Sequence, residues 1–246
     1  MKDFAQRALE TARARGASYA DVRVMDIRQR YLSTKNGQPA QVRESESSGL
    51  GVRVVAEGAW GFAATDDLSR AGVDRTAAQA VTIARASALC KKHAVSLAPE
   101  TKVVDRWLAP CRLDPFTVLV STCLDLLLKV DAELRRVEGV TLAEAVLDFR
   151  RIEQLFVSSQ GSEIYQVKTQ TGAGLVATSF LGNEIQRRSY PNSFGGQYQT
   201  KGYELVEELD LVGQAPRDAV PVGRERHHLG QRAAWLADSR IHRPPR

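Results

Sequence analysis

Four histidines, three cysteines and two adjacent carboxylate pairs are the side chains in this 246-residue chain with the clearest capacity for chemistry. Three of the histidines, His227, His228 and His242, fall in a stretch without helical or strand periodicity. Neighbouring residues such as His227-His228 project in different directions, and no pattern nearby supplies further ligands at the spacing that returns to one helix face. His93 lies near a helix end and reads as a surface or capping residue, where a cation is favoured. Asp66-Asp67 and Glu207-Glu208 read as solvated loop acids, because an acid–base pair requires an environment that splits its proton affinities. Cys90, Cys111 and Cys123 are odd in number and widely spaced, with no Cys-x-x-Cys pair, so they read as reduced, partly buried thiols. Gly49-x-Gly51 is followed by Val54 where a dinucleotide loop requires glycine, and it lies in a hairpin pattern rather than before a helix. No phosphate-cradling loop and no Gly-x-Ser-x-Gly elbow occur. Read residue by residue, the chain offers no catalytic, cofactor-binding or metal-binding set.

The formal charge of +5 raises the question of nucleic acid, and its distribution answers it. Residues 216–246 hold seven arginines against Asp218, Glu225 and Asp238, which leaves the preceding residues almost neutral. No basic stripe emerges, so composition does not support a nucleic-acid partner. No apolar run approaches the ~20 residues of a membrane helix, and the N-terminus lacks a signal-peptide core. The expectation is a cytoplasmic protein without a membrane partner.

The elements that must position any site follow from periodicity. Phe4, Ala5, Ala8, Leu9 and Ala12 have helical spacing, closed by Gly16. Val22 and Val24 then alternate with charged residues, and the extended pattern continues through Tyr31-Leu32 to Asn36-Gly37, a hairpin turn pair. Gln41 to Ser48 is too polar for a buried strand and reads as an edge or loop. Leu50 to Ala56 and Ala59 to Thr65 form a second hairpin about Glu57-Gly58. Val73, Ala77, Ala80, Val81, Ala84 and Ala88 mark a helix whose small-residue face can sit close on a sheet. Residues 94–116 read as a connector broken by Pro99, Pro110 and Pro115, and Asp114-Pro115 as the start of a helix running to about Arg136. After Gly139 a strand meander is expected. It includes extended runs at Ile164–Thr169 and Leu175–Phe180, a turn at Gly182-Asn183, and a last run at Glu184–Tyr190. Past Val212 the pattern collapses into what reads as a weakly ordered tail.

The order of segments carries a resemblance. Tyr19-Ala20-Asp21-Val22-Arg23, Gly49-Leu50-Gly51-Val52-Arg53-Val54, Gly58-Ala59-Trp60-Gly61-Phe62-Ala63 and Thr65-Asp66-Asp67-Leu68-Ser69 together resemble the N-terminal domain of TldD/PmbA proteins. Trp107 and Asp114-Pro115-Phe116 favour the TldD branch over the PmbA (TldE) branch. Ser158-Ser159-Gln160-Gly161 and the stretch from Gly195-Gly196 to Gly202-Tyr203-Glu204 extend the resemblance over about residues 1–212. It implies a zinc metallopeptidase that degrades unfolded peptides, working as a homodimer or a TldD/TldE-type heterodimer. In that family a His-Glu-x-x-x-His motif and a later Cys, in a C-terminal β-rich domain, hold zinc and place a Glu to activate water.

This sequence contains no His-Glu-x-x-x-His motif. The expectation is therefore a TldD-like subunit shortened by a frameshift or premature stop, without zinc of its own and inactive alone. Two alternatives stand beside it: a non-catalytic peptide-binding or dimerisation module, and a gyrase-modulator-like protein associated with nucleic acid. The plainer reading of Gln41–Ser48 is an ordinary edge protected by charge, although such an edge can also take up an extended peptide as an added strand. The expected fold is α+β, with antiparallel sheets, packed helices, a two-part core and an irregular C-terminal tail. Its expected divisions are an N-terminal α+β domain at 1–95, a middle region at 96–212 and a basic tail at 213–246.

Overall fold

A computed structural model describes residues 1–192 and 196–218. The fold is α+β, and the two expected cores are present. Among the described residues no helix is long and apolar enough to cross a membrane.

The chain opens with helix α1 (Lys2–Ala14), strands β1 (Tyr19–Lys35), β2 (Gln38–Ala56) and β3 (Ala59–Thr65), and helix α2 (Arg70–Ala88). Asn36 and Gly37 both take positive φ, 48° and 81°, as the two-residue turn between β1 and β2 requires. Strand β4 (Val104–Leu108) and helix α3 (Val120–Arg136) come next, then β5 (Leu142–Ser158), β6 (Glu163–Leu181), β7 (Glu184–Tyr190) and β8 (Gln197–Gln199). Helices α4 (Glu204–Leu209) and α5 (Leu211–Asp218) complete the described chain. Hydrogen-bonded neighbours follow the order β3-β2-β1-β5-β6-β4, with β7 and β8 also paired to β6.

The compact units are interleaved along the chain, whereas the sequence suggested consecutive blocks. One unit comprises Met1–Gln29, Glu44–Cys111 and Arg150–Gln170; the other comprises Arg30–Arg43, Arg112–Phe149 and the segment from Thr171. The reason is strand length: β1, β2, β5 and β6 each contribute residues to both units.

In the first unit, α1 and α2 cover one sheet face. Ala5, Ala8, Leu9 and Ala12 of α1 and Val73, Ala77, Ala80, Val81 and Ala84 of α2 meet Val22, Val24, Val52, Val54, Leu155 and Val157. The small residues allow a very close approach: a Cβ built on Gly61 of β3 would fall 2.1 Å from the Ala80 carbonyl oxygen. The Asp74 carboxylate accepts bonds from Arg7 and Thr11, tying α2 to α1. These bonds, the Arg7 one first, hold the Asp74 carboxyl below its ordinary range. Ser69 caps α2 by accepting from the Gly72 N–H at 3.0 Å.

The second unit packs α3 and the closing helices on its own core, with Leu32, Leu127, Leu134, Leu147, Phe149, Leu175, Leu205 and Leu211 fully enclosed. Its polar anchor is Glu204, which accepts backbone N–H bonds from Arg112, Leu113 and Gly202 at 3.0–3.1 Å. Burial alone would raise this carboxyl, but the backbone donors outweigh it and hold it at about 2.

Several expectations need correction. The connector at 94–116 contains β4, which pairs in parallel with β6 from Val104↔Glu163 to Leu108↔Val167. Helix α3 begins at Val120, after Asp114-Pro115. Arg30 donates to the Pro115 and Val118 carbonyls at 3.1 and 2.7 Å, which occupies groups that a helix through 115–119 would use. Asp114 instead caps a turn, accepting from the Phe116 N–H at 3.0 Å. Ile164–Thr169 and Leu175–Phe180 lie in one strand, β6. Residues 213–218 of the expected irregular tail are helical, within α5; residues 219–246 lie outside the described residues. Of the three thiols, Cys123 is buried, Cys111 half-buried and Cys90 exposed.

Candidate functional site

The side chains first weighed for chemistry do not converge. His93 is exposed, five residues past the end of α2, and the other three histidines lie outside the described residues. Asp67 is structural: it accepts from the Ser69 N–H and from Arg75, and these bonds, that of Ser69 first, keep its carboxyl below the ordinary range. Glu207 and Glu208 pair with Arg112 and Lys201 at 3.1 and 2.7 Å. Among the described residues no group of three or more His, Cys, Asp or Glu side chains could hold a metal ion. The described donors do not fit a zinc site.

The built site lies on the sheet face of the first unit opposite α1 and α2. Strand alternation creates it. Val22 and Val24 turn into the helix-covered core, so Asp21, Arg23, Met25 and Ile27 of β1 face the other way. In β2, Val52 and Val54 face the core while Gly49, Gly51 and Arg53 line the open face, and Phe62 and Ala64 of β3 join them. The result is a groove of about 610 Å³, floored by Gly49 and Gly51 and walled by Met25, Ile27 and Phe62. Its volume is that of a small-molecule or side-chain site. Phe62 is 58% exposed, and a Cβ on Gly51 would meet its ring at 3.2 Å, so glycine there makes room for the ring to lie across the sheet.

One end of the groove carries charge. Asp21 is 1% exposed and accepts from Arg53 Nε at 2.8 Å and from Arg23 Nη1 at 3.0 Å. Arg53 stacks on Trp60 at 4.8 Å and Arg23 on Phe156 at 4.9 Å, so both guanidinium groups are held between a carboxylate and a ring. Tyr19 meets Trp60 edge-on at 6.0 Å. Burial first, and then Asp21, push the Tyr19 hydroxyl up to about 12, so it stays protonated and can donate. Asp66 and the Ser47-Ser48 pair line the groove as well.

A backbone edge adjoins the groove. β2 pairs with β3 only from Leu50↔Thr65 to Ala56↔Ala59. Residues 45–49 of the same strand have no strand on that side among the described residues, and Ser45 to Ser48 are exposed. The groove and its surroundings offer a strand edge, an apolar slot and a cationic end.

Sequence reasoning singled out the segments that build this site but not the site itself. Gly49-x-Gly51 is not a dinucleotide loop; both glycines line the groove. The available signal was phase: Asp21, Arg23 and Arg53 alternate with Val22, Val24, Val52 and Val54, so the charges must share the face away from the helices.

Comparison with known proteins places this geometry. Residues 20–84, which supply the groove floor and walls, match the family described as PmbA/TldA metallopeptidase domain 1. A Methanothermobacter thermautotrophicus protein named a metalloprotease is 28% identical over 194 residues, covering 78% of this chain and 40% of the relative. A putative modulator of a DNA gyrase from Thermotoga maritima superposes with TM-score 0.63 at 15% identity, covering 89% of this chain and 46% of the other. TldE from Thermococcus kodakarensis gives TM-score 0.64 at 13% identity, covering 88% and 46%. The chain thus spans less than half the length of each of these three proteins.

Proposed function

The chain carries the first domain of the TldD/PmbA family across residues 20–84, and from that premise we propose that it is the peptide-holding part of a TldD-like metallopeptidase subunit. The observation that carries this reading is the groove beside the unpaired edge of β2. An extended, unfolded peptide adds as a strand along residues 45–49, its main chain bonding the N–H and C=O groups on the side that β3 does not cover. An apolar side chain then enters the slot between Phe62 and the Met25–Ile27 wall. Such binding reads backbone and one pocket, which suits substrates that share extension rather than sequence.

The resemblance implies zinc-dependent hydrolysis, in which the metal would polarise the carbonyl and activate water. This sequence has no His-Glu-x-x-x-His motif, and the described residues offer no alternative donor set. On this reading the chain, as a homodimer or in a TldD/TldE-type heterodimer, binds peptide, and cleavage needs a zinc-holding part that these residues do not supply. The test is to incubate the purified chain with a casein-derived unfolded peptide, with and without chelator, while measuring bound zinc. Binding without cleavage is expected; stoichiometric zinc with chelator-sensitive cleavage overturns the reading.

A further inference from the structure

The groove has a polarity that a general peptide-holding site does not require. Two guanidinium groups, Arg23 and Arg53, share the single buried carboxylate of Asp21 at one end, leaving a net positive charge there. Their N–H donors outnumber the acceptor positions on Asp21 and Tyr19, so donors remain for a ligand. Asp66 lines the groove as well, is exposed, and disfavours an anion beside it. The Arg23–Phe156 and Arg53–Trp60 stacks fix both guanidinium groups.

We infer that the groove takes the C-terminal end of an extended peptide, with the free carboxylate on Arg23 and Arg53 and an apolar last side chain in the slot. This rests on the peptide-holding reading and adds to it an end and a direction. β3 provides the reason for a terminus. From Leu50 onward it occupies the β2 edge, so a strand added along residues 45–49 must leave that edge where Thr65 begins the pairing. The path open to it crosses Gly49, passes the exposed Phe62 ring that lies over Gly51, and leads to the arginines. The added strand therefore runs parallel to β2. A charge-assisted bond from each arginine holds the carboxylate at the end of the path.

The experiment measures binding of the full chain to three N-terminally fluorescein-labelled peptides by anisotropy at low ionic strength. One, Ser-Thr-Ser-Val-Leu, ends in a free carboxylate; the second is its C-terminal amide; the third is the amide with Glu replacing the last Leu. The free acid should bind at least about tenfold tighter than either amide, the scale of one or two bonds to a charged group. R23Q, which leaves the Asp21–Arg53 pair in place, should erase most of that difference while leaving the amide's affinity within about twofold. Equal binding of acid and amide, both weakened by F62A, overturns the carboxylate inference and leaves peptide holding intact. A Glu amide as tight as the free acid overturns the choice of a terminus. No binding of any peptide overturns both readings.

Discussion

Asp21 and Arg53, 32 residues apart in sequence, meet through Arg53 Nε and Nη2, at 2.8 and 2.7 Å from one carboxylate oxygen, while Arg23 holds the other oxygen. The carboxylate is buried and both arginines are part-exposed, so the carboxylate organises the cluster. Replacing it leaves two cations side by side against aromatic rings. D21N should cost about 2–3 kcal/mol, the range for losing bonds to a buried charge, read from the urea midpoint at unchanged m. A change below about 0.5 kcal/mol would mean that the stacks on Trp60 and Phe156 hold the arginines alone.

Gly61 lets β3 pass close under α2, with the Ala80 carbonyl 2.1 Å from where a Cβ would stand. G61A must lift α2 from β3. A loss of about 1–3 kcal/mol is expected in chemical denaturation, the usual cost of overpacking. Wild-type stability for G61A would show that α2 can move without penalty.

Glu204 gives the protein an acid-sensitive anchor. Its carboxyl is held at about 2 in the folded state, against about 4.3 for a free glutamate. Because the folded value is depressed, its stabilisation is complete above the unfolded value and is lost as pH falls from about 4.3 towards 2. E204Q should lower stability at pH 7 by about 1–3 kcal/mol, as expected for bonds to a charged acceptor. It should also flatten the stability profile between pH 5 and about 2.5 relative to the parent. Parallel profiles for the two proteins would contradict this assignment.

Phe62 separates binding from folding. Its ring is more than half exposed, so F62A should change the thermal midpoint by no more than about 2 °C. Peptide affinity should fall about tenfold as the slot loses its wall. A large stability change with unaltered peptide affinity would assign Phe62 to the fold.

Assembly has its own measurement. Light scattering after size exclusion should return twice the 27.1 kDa chain mass for a homodimer. A monomer mass would remove the homodimer and leave the heterodimer, to be tested by mixing with a TldE-type chain.

Much of the fold was legible because one face of each element is apolar. The alanine face of α2, the Asn36-Gly37 turn and the Ala59–Thr65 return strand all follow from local pattern. What escaped depended on distant partners. Val104–Leu108 is exposed throughout and has no strand-like alternation of burial; it extends because β6 offers a parallel edge. Asp114-Pro115 is a good helix start, overridden by an arginine 84 residues upstream of Asp114. The groove was harder still, since its floor is made of side chains that do not exist and its charged end joins residues from two strands.

The glycine floor has a thermodynamic consequence. A slot whose depth is set by bare backbone has no rotamers to freeze when it fills, so the protein gives up little conformational entropy at Gly49 and Gly51 on binding. The ordering cost falls on the incoming chain and on the wall side chains, Met25 and Phe62. A ligand already stiff in extended form should then gain affinity over a supple one of the same composition, with the difference appearing mainly as a less unfavourable entropy of binding.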